Sequence, residues 1–392
     1  MVLKHRPTPW KDAAVAGLML GQIFVWSGFF YMFPAMAPAW ADAFGWSLPQ
    51  VMGAFTAALI AMALVTPLAG RIIDEGHGAA LLAGATLLGA AGLGVVGTGS
   101  GLAGFYAAWI VIGIAMGATL YEPVFAILLR ARGAEARGAI TAIAIFAGFA
   151  SLLTFPICHW LTLHFGPSAA PLVFAALLVT VAAPALGLSA RRLAQGTPAP
   201  TTAPPRAGNP GRARLSRLIV IFALPALATG LVLSQILPLL SGLGFTTGTA
   251  VALAALMGPM QVAARIMTSL IPKAATRTVL QTAMGLLGVG AAALWLGAPT
   301  GIAATVFLIA FGAGNGLVGI LRPVFVREVL GAEAIGAQAG AVARPALLAV
   351  AVSPLLGAWV LTGIGAEGLL ILAALSAGLA LILLLRLSQT AR

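Results

Sequence analysis

Charged residues are scarce in this chain of 392 residues: only 8% are Asp, Glu, Lys or Arg, whereas 61% are hydrophobic. A water-soluble chain carries about 25% charged residues, so this sequence has too little polar surface to cover a soluble globule. We therefore expect an all-α membrane protein that is not an enzyme.

Cysteine is almost missing, since Cys158 is the only one in the sequence. A single thiol excludes internal disulfides and metal clusters held by several thiolates. His159 follows it, but two potential ligands do not make a metal site. We expect no metal and no cofactor, and because the sequence has no nucleotide-binding loop, any transport must draw on gradients.

Acidic residues are outnumbered by basic ones, 9 against 21, which gives a formal charge of +12. The basic residues do not line a helix face or alternate with aromatic residues, as a nucleic-acid surface would require. They lie between apolar segments instead, which is typical of membrane proteins. We therefore expect the lipid bilayer, and no nucleic acid, as a partner.

Long apolar segments are what the sequence does contain, and each is near the roughly 20 residues that span a bilayer as a helix. We predict twelve of them, at 13–37, 48–70, 79–99, 104–129, 139–163, 169–190, 218–241, 249–271, 279–297, 301–321, 337–362 and 368–386.

The longest polar interruption, residues 191–217, divides these segments into six plus six. We predict an N-terminal six-helix bundle over 1–190, a cytoplasmic linker over 191–217 and a C-terminal six-helix bundle over 218–392. When the segments alternate from a cytoplasmic N-terminus, none of the 21 basic residues falls in an outside loop. Lys and Arg favour the cytoplasmic side, so both termini are predicted to be cytoplasmic.

The two halves repeat each other. Glu122-Pro123-Val124-Phe125 has a counterpart in Arg322-Pro323-Val324-Phe325, and the stretch that begins at Gly133 recurs 198 positions later at Gly331. The chain is thus expected to form two pseudo-symmetric bundles, each with one charge buried at an equivalent place.

Twelve segments in two repeated halves, joined by a cytoplasmic linker, resemble the major facilitator superfamily over the whole chain. A short motif after segment 2 supports the resemblance, because Gly70 and Asp74 match the family pattern around Arg71, although Glu75 and Ala79 replace the usual basic residues. The resemblance implies a multi-pass protein of the bacterial inner membrane, with this motif acting on conformation and not on substrate.

One branch of that superfamily is especially similar. Phe44-Gly45-Trp46-Ser47, the run from Pro67 to Asp74, and lone cations on segments 8 and 11 resemble the monocarboxylate carriers and bacterial oxalate/formate exchangers. In those relatives cationic residues of segments 8 and 11 bind the substrate carboxylate. The matching residues here are Arg265 and Arg344.

Internal symmetry offers another interpretation of Arg265, as the repeat of Arg71 at the end of segment 2. It does not explain Arg344, whose counterpart is Phe146. Gln261 stands four residues before Arg265, where the carriers often have an Asp for proton coupling, so coupling through that position is not expected.

Glu122 is the one acidic residue deep in any predicted span, where an ionisable group costs at least ~2.5–3.5 kcal/mol. A lone carboxylate there would be a proton carrier. Paired with Arg322 or Arg344, it would instead act as an ion-pair gate, which is the interpretation we favour. Pro123 and Pro323 interrupt the hydrogen-bond ladder beside these charges and are expected to kink both helices.

Four further polar residues are predicted to line the substrate cavity and donate hydrogen bonds: Tyr31, Tyr121, Gln261 and Asn315. The function expected from the sequence is secondary transport of a small mono- or dicarboxylate by alternating access, through proton symport or anion exchange, in a monomer. The alternative is an efflux pump for lipophilic drugs or metalloids. Segment 5 lacks the Gly-Pro-rich motif usual in drug-proton antiporters, which weakens that alternative.

Overall fold

A computed structural model describes residues 12–99, 101–195, 212–269, 275–330 and 335–387, and every regular element in these ranges is a helix. This confirms the all-α prediction for the part of the chain that the structure describes. Eleven of the helices are long and apolar enough to cross a membrane.

Six of these helices form the first half. They are α1 (Ala13–Phe44), α2 (Leu48–Asp74), α3 (Gly78–Gly97), α4 (Gly101–Arg132), α5 (Ala136–Phe165) and α6 (Ala169–Ala194).

The second half begins with α7 (Arg212–Ser234) and its short continuation Ile236–Gly242. It continues through α8 (Thr247–Ser269), α9 (Thr276–Gly297) and α10 (Gly301–Leu330).

The last helical stretch, Ile335–Arg386, is two membrane helices and not one. Gly365 in its middle has φ 80° and ψ −178°, which no helix contains. A straight helix of 52 residues would be about 78 Å long, more than twice the roughly 30 Å hydrocarbon core. We therefore divide it into α11 (335–364) and α12 (366–386), and the twelve predicted spans are confirmed.

Several helices extend beyond their predicted spans. Helix α4 continues to Arg132 and α10 to Leu330, whereas the apolar segments end at 129 and 321. The added turns carry arginines, which lower the hydropathy without lowering helix propensity. Hydropathy therefore locates a membrane span but not the end of its helix.

Several helices of the first half are irregular, and two of these irregularities lie near the predicted site residues. Helix α1 contains a π-helical turn at Trp26–Tyr31, in which the Met32 amide donates to Ser27 O. Pro34 follows this turn and cannot donate to Phe30 O, so the regular ladder is already interrupted there. Helix α4 breaks at Leu120, whose ψ of −157° separates Gly101–Thr119 from Tyr121–Arg132.

The chain folds into two compact units. The first holds α1, α2 from Ala57 onward and α3–α6; the second holds α7–α12 together with residues 47–56 at the start of α2. In the second unit the Leu355 amide donates to Thr56 Oγ1 at 3.2 Å. The predicted boundaries at 190 and 218 stay a prediction, and residues 196–211 of the predicted linker lie outside the described residues.

Each unit contains a helix crossing at which glycines bring two backbones together. In the first unit a Cβ on Gly113 would lie 2.1 Å from Ala58 O, and one on Gly117 would lie 2.7 Å from Met62 O. In the second unit a Cβ on Gly316 would lie 2.6 Å from Gln261 O. Small residues allow this close approach between membrane helices.

The two crossings are built from equivalent residues. Gly113, Gly117, Ala58 and Met62 recur 199 positions later as Gly312, Gly316, Met257 and Gln261. Pairs α2–α4 and α8–α10 therefore carry the repeat in three dimensions, as expected for pseudo-symmetric halves. The same spacing pairs Arg265 with Thr66 and not with Arg71, so internal repetition does not account for its guanidinium.

Candidate functional site

An aromatic cluster in the first unit lies where α1 meets the second part of α4. We call it the Trp26 cluster; its members are Trp26, Phe30, Tyr31, Tyr121 and Phe125. The Trp26 ring centroid is 4.6 Å from that of Tyr121, 5.2 Å from Phe30 and 6.1 Å from Tyr31. Tyr121 stacks on Phe125 at 5.1 Å. These are the separations of attractive aromatic pairs, and they bring the predicted site residues Tyr31 and Tyr121 together.

The indole of Trp26 is oriented by a hydrogen-bond relay that depends on Pro123. Because proline has no N–H, it cannot donate to the carbonyl of Thr119 four residues earlier. The buried side chain of Gln22 supplies the donor instead, with Nε2 at 2.7 Å from Thr119 O. Trp26 Nε1 in turn donates to Gln22 Oε1 at 3.2 Å. The break in α4 thus fixes a side chain of α1.

Sequence reasoning missed Trp26 and the role of Gln22 in orienting it. A tryptophan in an apolar segment is no outlier, and its nearest ring, that of Tyr121, comes from a helix almost a hundred residues away. The signal in the sequence was Pro123, because it leaves the carbonyl of Thr119 without its helical donor inside a membrane span. Such a carbonyl needs another donor, and Gln22 carries the amide side chain of α1.

Glu122 lies in the first turn of the second part of α4. Its side chain is exposed, and it forms no hydrogen bond or ion pair with the described residues of the first unit. A carboxylate is favoured at a helix N-terminus, where the peptide dipoles place partial positive charge. The break at Leu120 thus creates a helix start that suits Glu122.

Of the two predicted helix kinks, only the one in α4 coincides with a break. Helix α10 runs as one helix from Gly301 to Leu330, through position 323. The two prolines therefore have different local outcomes.

Arg265 is held at the α8–α10 crossing in the second unit. Its Nε donates to Gly316 O at 3.2 Å, and the side chain is half-buried. No other hydrogen bond or ion pair joins its guanidinium to the described residues of that unit. The terminal nitrogens of a fixed, half-buried guanidinium thus remain available for an anion.

Two other predicted site residues flank the same crossing. The Gln261 backbone packs against Gly316 one turn before Arg265, and Asn315 precedes Gly316 on α10. Both side chains are half-buried. The structure therefore places Gln261, Arg265 and Asn315 around one helix contact.

The remaining predicted cations have less defined surroundings. Arg344 is exposed on α11 and forms no hydrogen bond or ion pair with the described residues of the second unit, whereas Arg322 on α10 is half-buried. The expected pairing of either cation with Glu122 stays a prediction.

The end of α2 is fixed by a residue that the sequence motif does not include. Arg71 and Asp74 are exposed, and a Cβ on Gly70 would meet nothing within 4 Å. Arg130 of α4 instead donates through Nη1 to the carbonyls of Ile73, at 3.0 Å, and Asp74. Basic side chains commonly cap the free carbonyls at helix C-termini.

No three His, Cys, Asp or Glu side chains come together in the part of the chain that the structure describes. Cys158 is buried in α5. The geometry is that of polar and aromatic side chains on membrane helices, with the Arg265 guanidinium held at the α8–α10 crossing.

Comparison with known proteins agrees with the architecture. The sequence model of the Major Facilitator Superfamily matches residues 18–343. A search of curated protein sequences gives no match.

Solved structures with a similar fold span almost the whole chain. The human organic anion transporter MFSD10 (TETRAN) superposes with a TM-score of 0.67 at 17% identity, covering 97% of this chain and 100% of its own. The nucleoside transporter NupG gives 0.69 at 14%, covering 95% and 97%. An auto-inhibited peptide transporter of the POT family gives 0.68 at 15%, covering 97% and 98%. At these identities the likeness shows the fold alone.

Proposed function

The chain belongs to the major facilitator superfamily and is a membrane transporter of that type, and on this premise we propose that it carries a small organic anion, a mono- or dicarboxylate. Arg265 is the observation on which the proposal rests. Burying a guanidinium in a span is costly, and here it is retained, half-buried, with only Nε bonded to a described residue.

The chemistry of a guanidinium supports a carboxylate as its ligand. Its planar N–H groups match the two oxygens of a carboxylate, and such charge-assisted bonds are about twice as strong as neutral ones. The bond from Nε to Gly316 O sets the orientation of the plane before the ligand binds. Gln261 and Asn315 supply neutral hydrogen bonds beside it.

Arg344 is proposed as the second cation of the site. It is exposed in the second unit and lacks a partner among the described residues there, so an anion can reach it. Pro345 follows it and removes one donor from the ladder of α11.

Glu122 is proposed to couple or gate transport. It is exposed at the broken start of a helix, where it can exchange a proton or meet a cation such as Arg322. If Glu122 carries a proton, a proton gradient drives transport by symport. If Glu122 acts as an ion-pair gate, the gradient of the exchanged anion drives transport. The membrane proposed is the bacterial inner membrane, with both termini cytoplasmic.

Uptake of labelled carboxylates into proteoliposomes tests the proposal. Losing a hydrogen-bonded charge partner costs about 1.5–3 kcal/mol, so Arg265→Gln and Arg344→Ala should each lower uptake roughly 10- to 100-fold. Arg137→Gln, which changes an exposed residue of the first unit, is the control and should leave uptake unchanged. Unchanged uptake of every carboxylate in Arg344→Ala and Arg265→Gln would refute the anion site.

The same vesicles decide the role of Glu122. If it carries protons, Glu122→Gln abolishes uptake driven by a pH gradient and leaves exchange of internal for external substrate intact. Uptake driven by the pH gradient that survives the substitution excludes Glu122 as the carrier.

Export of lipophilic cations is the second candidate. The observation in its favour is the exposed carboxylate of Glu122 directly after Tyr121, which belongs to the Trp26 cluster. Carboxylates and aromatic faces both attract organic cations. A thermal-shift screen of small carboxylates against cationic drugs separates the two candidates.

A further inference from the structure

Helices α1 and α4 carry two aromatic clusters that differ in one respect. The first cluster, Phe33, Trp40, Phe105 and Trp109, is fully buried, with exposed fractions of 0–2%. Its rings meet at centroid distances of 4.5–6.3 Å. This is the packing of a hydrophobic core.

The Trp26 cluster has comparable ring separations but is not closed. Each of its five side chains retains partial exposure. Tyr31 also reaches Phe155 of α5 at 6.5 Å, so the rings form a continuous surface across α1, α4 and α5. Aromatic faces left accessible beside a core that is otherwise complete are available to a ligand.

The relay from Pro123 to Trp26 is specific to the first unit. At the 199-residue spacing of the glycine crossings, the positions that correspond to Gln22 and Trp26 hold Ile221 and Pro225. Helix α10 has no break where α4 has one.

The second unit has a buried glutamine of its own, Gln235, which donates to Pro354 O at 2.8 Å, but its Oε1 accepts no hydrogen bond from the described residues. An indole bonded to the glutamine is therefore not required by the fold.

The relay also costs something to maintain. It places the amide of Gln22, at 0% exposure, inside a membrane helix, where polar groups must be satisfied. Both ends of that amide are used, one on Thr119 O and one on the indole. The result is an indole that is held by a hydrogen bond to Gln22 and is still partly exposed.

We propose that the Trp26 cluster binds a flat, conjugated ring of the transported molecule. This rests on the proposed function, which makes the chain a carrier of a small organic anion. Trp26, Tyr31 and Tyr121 contact the ring, and Gln22 is a positioning residue that acts through Trp26.

Two acids that differ only in their ring provide the test. Benzoate and cyclohexanecarboxylate share the anionic group and have nearly the same size, but only benzoate is flat and conjugated. Offset or edge-to-face aromatic contacts are worth about 0.5–1.5 kcal/mol beyond area burial, so the full chain in nanodiscs should bind benzoate roughly 2- to 10-fold more tightly.

Variants then assign this preference to residues. Trp26→Leu should reduce the preference to about one while the affinity for cyclohexanecarboxylate stays within about twofold. Gln22→Met removes both hydrogen bonds of the relay and should reduce the preference in part, although every ring remains. Gln22→Glu keeps the acceptor for the indole and should retain more of the preference than Gln22→Met. A purely structural role would change both affinities together.

Trp160→Leu removes an exposed tryptophan outside the cluster and should change neither affinity. Equal binding of the two acids by the unmodified protein, or a preference that survives Trp26→Leu, would overturn the inference and leave the proposed function standing. If neither acid binds, or if Arg265→Gln weakens neither, the proposed function fails and the inference fails with it.

Discussion

At the scale of single residues, the polar side chains that matter are those that bond backbone carbonyls at a helix break or a helix end. Gln22 donates to the carbonyl that Pro123 leaves free, and Arg130 donates to the last carbonyls of α2. In a bilayer an unsatisfied backbone group costs several kcal/mol. Each of these side chains is thus fixed by the position of a helix break or a helix end.

Removing the Arg130 cap should destabilise the protein. We expect Arg130→Ala to lower the free energy of unfolding by about 1–2 kcal/mol, because two carbonyls lose a charged donor that is only partly shielded from solvent. A thermal-shift measurement in detergent detects this as a lower midpoint.

Arg137→Ala, at an exposed position in the next helix, provides the comparison and should melt with the unmodified protein. Equal melting of Arg130→Ala and Arg137→Ala would show that the cap contributes nothing.

At the scale of helices, the glycine crossings fix which faces of α2, α4, α8 and α10 meet. Gly316 is the most informative of them, because its own carbonyl accepts the bond from Arg265. The packing of α8 against α10 and the orientation of Arg265, the proposed anion-binding residue, therefore depend on the same glycine.

Gly316→Ala should separate α8 from α10. Its Cβ would lie 2.6 Å from Gln261 O and 2.8 Å from Gln261 Cα, and overpacking of this kind typically costs about 1–3 kcal/mol. We expect a lower thermal midpoint and weaker carboxylate binding.

Gly319→Ala is the matched control on the same helix, since its Cβ would meet nothing within 4 Å. It should be neutral or gain up to about 1 kcal/mol from helix propensity. If both substitutions have the same effect, the close approach at Gly316 is not what stabilises the crossing.

Which helix features the sequence could predict follows from their physical origin. The twelve spans were predictable because a bilayer demands continuous apolar length. The break in α4 was predictable from Pro123, but the matching Pro323 produces none. The rotation of α1 against α4, which gathers the Trp26 cluster, was not predictable, since α1 is apolar on every side and presents no preferred face.

At the scale of the whole molecule, the chain is a duplicated unit whose repeat is retained in helix packing and not at the residues proposed to function in transport. The crossings are equivalent in both units, whereas Arg265 pairs with Thr66 and Gln22 with Ile221. The sequence repeat identified the duplication, but it did not show whether Arg265 corresponds to Arg71. The 199-residue spacing of the glycine crossings, which only the structure reveals, was needed to answer that question.

The predicted orientation can be tested by cysteine labelling, because Cys158 is the only native thiol and is buried. Asp42→Cys and Arg137→Cys both alter exposed residues, and we expect them on opposite sides of the membrane. A membrane-impermeant maleimide should label Asp42→Cys in intact cells and Arg137→Cys only after permeabilisation. The reverse pattern would place both termini outside.

The glycine crossings also determine how force is transmitted. Where backbone lies on backbone, no layer of side chains remains that could repack, so sliding by one residue would drive a neighbouring side chain into the opposite helix. We therefore expect α2 and α4 to move as one rigid pair, held where Ala58 of α2 meets Gly113 of α4. We expect the same of α8 and α10, held where Gln261 meets Gly316. The distance between spin labels on the two helices of one pair should stay constant throughout a transport cycle. This distance can then serve as an internal reference for label distances elsewhere in the protein.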